Sequence, residues 1–278
     1  KEATIVMPDG CDQIPASPLP GPVPDRKDGS SRGRFAVVIP VYNHARNVET
    51  VARQALKLGV PVVVVDDGST DQTTDIVRRI PGLYFLRHAV NAGKGAALLT
   101  GFEAAAAFAD WAITIDADGQ HRPAEAAQLV AAALEGPRAI VVGQRQGMLG
   151  RHVPWTSRFG RGFSNFWVWA AGGGRRTDSQ SGFRIYPLRE VFALGVKARR
   201  FQFEVEVLAK AGWQGLPIKE VPISVDYHPG APRISLFRHF VAFCIYSRTL
   251  SHPLFLSLVV PRAVRRRWQK MPDNKPPA

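Results

Sequence analysis

Two short acidic loops carry the side chains best suited to chemistry. Asp66-Asp67-Gly68-Ser69-Thr70-Asp71 follows an unbroken apolar run at 60–66. Paired carboxylates at a strand end can accept hydrogen bonds from a ribose diol or a base N–H, while Gly68 permits a tight turn and Ser69 or Asp71 caps a following helix. Turn chemistry alone accounts for Gly68 to Asp71. It does not account for a second carboxylate placed directly at the end of an apolar strand. The other loop reads Asp116-Ala117-Asp118-Gly119-Gln120-His121. Carboxylates at i and i+2 on an extended strand end point to one side. They can share one hard divalent cation and leave positions for diphosphate oxygens. An EF-hand is excluded, because Ala127 stands where the bidentate Glu would be. A chance D-x-D is common, but one at a strand end in the same sheet as Asp66-Asp67 is a stronger signal. A third segment, Asn91-Ala92-Gly93-Lys94-Gly95, opens a helix, and N-terminal N–H groups with a lysine suit a phosphate or a ribose. It lacks the first glycine and the Ser/Thr of a Walker A loop. Pro40-Val41-Tyr42-Asn43 stands where a dinucleotide fold carries G-x-G-x-x-G. Both facts count against a kinase-like NTPase and against a dehydrogenase.

Apolar runs predict strands at 35–41, 60–66, 83–88, 111–116 and 138–143, and helical spacing predicts helices at 47–58, 72–79, 95–109 and 123–135. That alternation predicts a doubly wound α/β sheet with right-handed crossovers, whose ligands bind at the carboxyl ends of the strands. The loops after Val41, Val65, His88 and Ile115 then converge on one site. Beyond Gly143 the pattern loosens. A basic loop at 147–161 precedes an aromatic helical stretch at 163–171, broken by Gly172-Gly173-Gly174. A helix is expected at 201–211 and one or two strands at 215–227. Leu236, Phe237, Phe240, Val241, Cys244 and Ile245 fall on one helical face. An apolar segment at 253–260 is too short to span a bilayer and leads into five basic residues within 262–270.

The chain has 278 residues, 45% hydrophobic and 21% charged, which allows one or two domains and excludes a disordered chain, a collagen or a coiled coil. Two cysteines, Cys11 and Cys244, exclude a disulfide scaffold and a multi-cysteine zinc site; free thiols in a reducing compartment are expected. The opening residues lack a basic-then-apolar leader, so no secretory signal is expected. Six prolines and little apolar periodicity make residues 1–34 a flexible arm. Net charge is +13, distributed unevenly: residues 1–34 are neutral, 35–142 carry −2 and 143–278 carry +15. Such a field favours an anionic partner, whether nucleic acid, lipid headgroups or a phosphorylated substrate, or else a solvated surface. Acidic strand-end loops would repel a nucleic acid, so no nucleic-acid partner is expected.

Taken in order, Pro40-Val41-Tyr42-Asn43, Asp66-Asp67-Gly68-Ser69-Thr70-Asp71, Asn91-x-Gly93-Lys94-Gly95 and Asp116-x-Asp118-Gly119-Gln120 resemble the family 2 glycosyltransferases, above all the dolichyl- or polyprenyl-phosphate sugar transferases. Agreement continues through Gly143-x-Arg145, residues 158–165, Asp178-x-x-Ser181-Gly182-Phe183-Arg184, Phe203-Glu204-x-Glu206-Val207-Leu208 and Arg233-Ile234-Ser235, covering roughly 35–250. The resemblance implies a GT-A fold over 35–235, a Rossmann-like α/β domain with a mostly parallel sheet and flanking helices. C-terminal amphipathic helices at 236–270 would then touch the membrane or form an interface. It implies an inverting transfer from a GDP- or UDP-sugar to a polyprenyl phosphate. Pro40, Tyr42, Asn43, Asp66, Asp67, Lys94, Asp116, Arg233 and Ser235 would bind the donor, and Asp116 and Asp118 would hold Mg²⁺ or Mn²⁺ with Gln120 alongside. Arg145, Arg158, Ser181 and Arg184 would face the acceptor, and Asp118, Gln120, Arg145 and Arg184 would form the catalytic set. The family usually has Glu after Tyr-Asn. This chain has His44, which leaves the nucleotide open.

A phosphate acceptor is already an anion and needs no general base. A hydroxyl acceptor on a lipid or other small molecule would need one, with Asp178, Glu204 and Glu206 as candidates and Glu204 alternatively paired with Arg199 or Arg200. His121 is a lesser metal candidate; His152, His228 and His239 look isolated. Trp155, Trp167 and Trp169 suit an acceptor channel, a membrane interface or a core equally. The expected place is cytoplasmic, peripheral on the inner face of the cell membrane, with a homo-oligomer left open.

Overall fold

The computed structural model describes residues 11–13 as backbone, 33–146, residues 162, 165, 168, 169 and 174, and 177–225. Four parallel strands form the centre: β2 (Phe35–Val41), β3 (Val62–Asp66), β4 (Leu83–His88) and β5 (Trp111–Thr114). β6 (Ile140–Arg145) and β8 (Ile218–Ile223) pair in parallel, and β7 (Arg184–Pro187) runs antiparallel between β5 and β6. With β1 (Cys11–Gln13) antiparallel on β4, the order is β1-β4-β3-β2-β5-β7-β6-β8.

The valine runs are unbroken because both faces of the sheet are covered. Val37, Ile39, Val62 and Val64 point to one side, onto α1 (Val48–Leu56), α2 (Thr73–Arg78) and α4 (Ala126–Leu134). Ala36, Val38, Val63 and Val65 point to the other, onto α3 (Lys94–Ala105) and α6 (Phe203–Gln214). The alanines and glycines of α3 let it lie close on the sheet: a Cβ at Gly101 would come within 2.4 Å of Val38 Cγ1. A 3₁₀ turn, Pro123–Glu125, leads into α4, and α5 (Leu188–Ala193) follows β7.

Register sets the site. Val41 pairs with Asp66, and Asp66 with Arg87, so the ends of β2, β3 and β4 lie level. The anticipated strands and helices of the first half are present. Two features go beyond the anticipated pattern. Cys11–Gln13, within the arm expected to lack order, caps the exposed edge of β4, where unpaired backbone groups can accept a strand whatever its side-chain pattern. β7 and α5 are additions to the expected pattern; Arg-Ile-Tyr-Pro has neither alternation nor an apolar run, yet all four residues are buried.

Candidate active site

The loops at the carboxyl ends of β2, β3 and β4 are locked together. Asn43, in the left-handed region at φ 56, receives a hydrogen bond at its Oδ1 from Thr70 N at 2.8 Å, and its own N–H donates to Ser69 Oγ at 2.9 Å. Asp66 is fully buried: Oδ1 accepts from Ser69 N at 2.8 Å, and Oδ2 accepts from Thr74 Oγ1 at 2.5 Å and lies 3.6 Å from Arg87 Nε. Asp67, also buried, accepts from Ala92 N at 2.9 Å and Gly93 N at 2.7 Å, and sits 2.7 Å from His88 Nδ1. The other ring nitrogen of His88 meets Thr100 Oγ1 at 2.9 Å. Both carboxylates expected at the donor thus face inward and brace loops. Pro40 is likewise buried in β2, whereas Tyr42 is exposed.

Beside these loops lies a charged cluster. Lys94 Nζ bridges Asp116 Oδ1 at 2.6 Å and Glu204 Oε1 at 2.7 Å, joining the start of α3, the loop after β5 and the start of α6. Burial alone would push the Lys94 ammonium down, but the two carboxylates outweigh it and raise it above its usual value. Burial opposes ionisation of Asp116 too; Lys94, His121 and Arg145 overcome it and hold that carboxyl below the usual range. Asp116 packs tightly on Gly182: a Cβ there would come within 2.1 Å of Oδ2, so any larger residue must displace the carboxylate. Asp118 is half-buried; its Oδ1 accepts from Gln120 N at 2.9 Å and its carbonyl from Asn47 Nδ2 at 2.6 Å. His121 is buried against Phe183, ring centroids 5.5 Å apart, and its Nδ1 has no hydrogen-bond partner. Burial, opposed by Asp116 and Asp118 and aided by Arg145 and Lys94, pushes this ring below its usual value.

The arginines behave differently from one another. Arg145 makes a two-pronged pair with buried Asp178, Nε to Oδ2 at 2.7 Å and Nη2 to Oδ1 at 2.8 Å, which fixes the guanidinium plane at the end of β6. Arg184, expected to face the acceptor, lies inside the fold. This side chain is fully buried and donates to the carbonyls of Ser181 (2.6 Å), Ser179 (2.7 Å) and Glu204 (3.0 Å) and to Tyr186 Oη (3.2 Å). Its five-donor fork ties the 179–181 turn to α6. Ser181 is fully buried as well, its hydroxyl without a partner. Glu204 pairs with Lys94 rather than with Arg199 or Arg200, and Glu206 accepts from the backbone of Lys197 and Ala198 and pairs with Lys210. Arg158, Arg233, Ser235, Trp155, Trp167, His152, His228, His239 and residues 236–270 lie outside the described residues.

Asn47 and His88 join the site without a sequence signal. Nothing in their local pattern marks them, since each acts on a partner distant in sequence. Among the described residues, no group of three or more His, Cys, Asp or Glu forms a closed metal cage. Two partly buried carboxylates of a single loop, one of them held ionised, fit instead a hard cation that shares its shell with ligand oxygens.

The model describing glycosyl transferase family 2 matches residues 36–192. The chain belongs to that family. This glycosyltransferase is 34% identical over 205 residues to an uncharacterised protein of Methanocaldococcus jannaschii, covering 71% of this chain and 83% of that one. It is 30% identical over 213 residues to the UDP-N-acetylglucosamine–dolichyl-phosphate N-acetylglucosaminyltransferase of Methanococcus voltae, covering 69% and 85%. Against the polyprenol monophosphomannose synthase of Mycolicibacterium smegmatis it is 28% identical, covering 69% and 77%. Among solved structures it resembles glucosyl-3-phosphoglycerate synthase of Mycobacterium tuberculosis bound to Mn²⁺, UDP and phosphoglyceric acid, with TM-score 0.60 and 23% identity over 87% of this glycosyltransferase and 80% of that chain. The fold is GT-A.

Proposed function

We propose that the protein transfers a sugar, with inversion, from a UDP- or GDP-sugar to a polyprenyl phosphate at a membrane surface. The observation that carries this reading is the acidic tip of β5. Asp116 is held ionised by Lys94 and flanked by Asp118, with the fixed guanidinium of Arg145 close enough to act on the same carboxylate. Relatives named for dolichyl- and polyprenyl-phosphate acceptors, and a fold neighbour bound to Mn²⁺ and UDP, support it.

In this reading Asp116 and Asp118 hold Mg²⁺ or Mn²⁺, with Gln120 alongside. When bound, the metal neutralises charge developing on the leaving diphosphate. The chain's own residues do the rest. Tyr42 and Asn43 flank the nucleotide, with Arg233 and Ser235 on the diphosphate. Lys94 supplies a second positive charge that can turn from Asp116 toward that diphosphate while Glu204 keeps it in place. Asp178 holds the Arg145 guanidinium rigid, so that with Arg158 it orients an anionic acceptor oxygen in line with the anomeric carbon. That oxygen needs no base. No described helix is long and apolar enough to cross a membrane. Contact with the inner face of the cell membrane is proposed as peripheral, with the basic stretch 262–270 contributing about 1 kcal/mol per charge near anionic lipid.

The test is a detergent-dispersed assay with a short polyprenyl phosphate, Mg²⁺ and a panel of labelled UDP- and GDP-sugars. An acid-labile lipid-linked sugar phosphate is expected. An acid-stable glycoside would instead assign a hydroxyl acceptor, with Glu204 as the base.

A further inference from the structure

The loops that build the site also leave an outer rim in which, Tyr42 apart, the proposed reaction uses no side chain. Six large apolar side chains are exposed among the described residues, and the two most open are Val90 at 74% and Phe201 at 67%. Both stand at the carboxyl end of the parallel strands, as does exposed Tyr42. Direct contacts connect them. The backbone of Val90 lies over Gly68, where a Cβ would come within 2.7 Å of it. Gly93, three residues on, is anchored to Asp67 and covered by Arg199 O and the stem of Arg200, each 2.5 Å from where a Cβ would stand. Ala96 N donates to Arg199 O at 2.8 Å, which clamps the segment carrying Phe201 to the start of α3, beside Lys94. Leu134 and Phe192, by contrast, sit at the far end of the sheet, where α4 and α5 close.

Charge accompanies the apolar tips. Lys197, Arg199 and Arg200 are exposed around Phe201, and Arg46 is exposed beside Tyr42. The acids nearby are engaged: Glu206 with Lys210 and the 197–198 backbone, Asp71 with Ala45 N and Thr73 N, and Glu103 in the field of Arg199. An exposed aromatic ring among cations that can keep their heads in water while their stems lie on apolar surface suits the boundary between headgroups and acyl chains. A nucleic acid or an acidic protein would use the cations but leave the apolar tips in water.

We propose that this rim is a membrane-contact surface: Phe201 and Val90 enter the interface of an anionic bilayer, Lys197, Arg199 and Arg200 lie on its headgroups, and the strand tips open toward lipid. It rests on the lipid-phosphate reading above for its purpose, and it draws on none of the basic residues at 262–270. The test places an environment-sensitive nitrobenzoxadiazole label at Phe201→Cys in the full chain carrying Cys11→Ser and Cys244→Ser, with the label at Phe192→Cys as the far-end control. Mixed with phosphatidylcholine vesicles containing phosphatidylglycerol, the label at 201 should brighten, shift to the blue and be quenched by acyl-chain spin labels. The label at 192 should not respond. Arg199→Glu with Arg200→Glu should weaken vesicle binding about thirtyfold or more. A silent label at 201 on a chain that still sediments with the vesicles overturns the proposal, as does an equal response to heparin without lipid. Sugar transfer in detergent together with a silent label would defeat the surface and spare the function. A responsive label without lipid-phosphate product would do the reverse.

Discussion

Two residues that look alike in the sequence, each polar at a strand end or start, have opposite roles. Arg184 is enclosed, and its fork satisfies three carbonyls and a tyrosine hydroxyl. Arg184→Lys replaces a planar fork by a point donor and strands at least one buried acceptor, so urea unfolding should register a loss of about 2–4 kcal/mol. Asp118 is half-buried, and the hydrogen bond its side chain accepts from Gln120 N survives an isosteric change. Asp118→Asn should therefore leave stability within about 0.5 kcal/mol. It should lower turnover about a thousandfold, because the loop loses half the charge offered to a cation. Full turnover in that variant, or in excess chelator, would refute the metal role of the loop.

At the level of elements, the central strands and the helices between them were legible because their signal is local: valine runs, alternation, helical spacing. The acidic tips of β3 and β5 were legible for the same reason. What escaped was pairing set at long range. β7 takes its place from β5 and β6, and its Arg184 is solvated by carbonyls from two other segments. The inward turn of Asp66 and Asp67 depends on amides 3 to 26 residues away, so these carboxylates also brace the loops, which their type alone does not reveal. Glycines expose the same long-range fit. At Gly182 an added methyl would collide with the carboxylate end of Asp116, a group that can rotate. Gly182→Ala should cost about 1 kcal/mol of stability yet lower kcat/KM about tenfold or more by dislodging Asp116 from Lys94. At Gly95 the obstacles are the backbone of Ala198 and Arg199, 2.6 and 2.8 Å away, and Phe203 Cβ. Backbone cannot step aside, so Gly95→Ala should cost about 2 kcal/mol or more in chemical denaturation.

Across the whole molecule, stability depends on keeping this unusual charge arrangement intact, and pH probes it directly. His121 has an ordinary value of 6.5, and its site holds it lower, chiefly by burial. As pH falls through about 6.5 the unfolded chain takes up a proton that the folded site refuses, so the unfolded state gains and stability drops until the folded ring itself protonates. Asp110, held down first by its hydrogen bond from Arg34, and Asp116, held down by Lys94 against burial, act further into acid. Their contribution is complete above the unfolded value of 3.8 and disappears as pH falls through their lower folded values. Urea unfolding of the wild-type chain should thus decline in two stages, one beginning near pH 6.5 and one below about 4. His121→Gln should flatten the first stage and, because the imidazolium helps to hold Asp116 down, weaken the second without abolishing it. Asp116→Asn should shrink the second stage, because the uncharged amide no longer titrates, and enlarge the first, because His121 loses a carboxylate that opposes its burial. A wild-type profile flat between about pH 8 and 5, or one that His121→Gln leaves unchanged, would mean that the imidazole at the base of the acidic loop is protonated as readily in the fold as in the open chain.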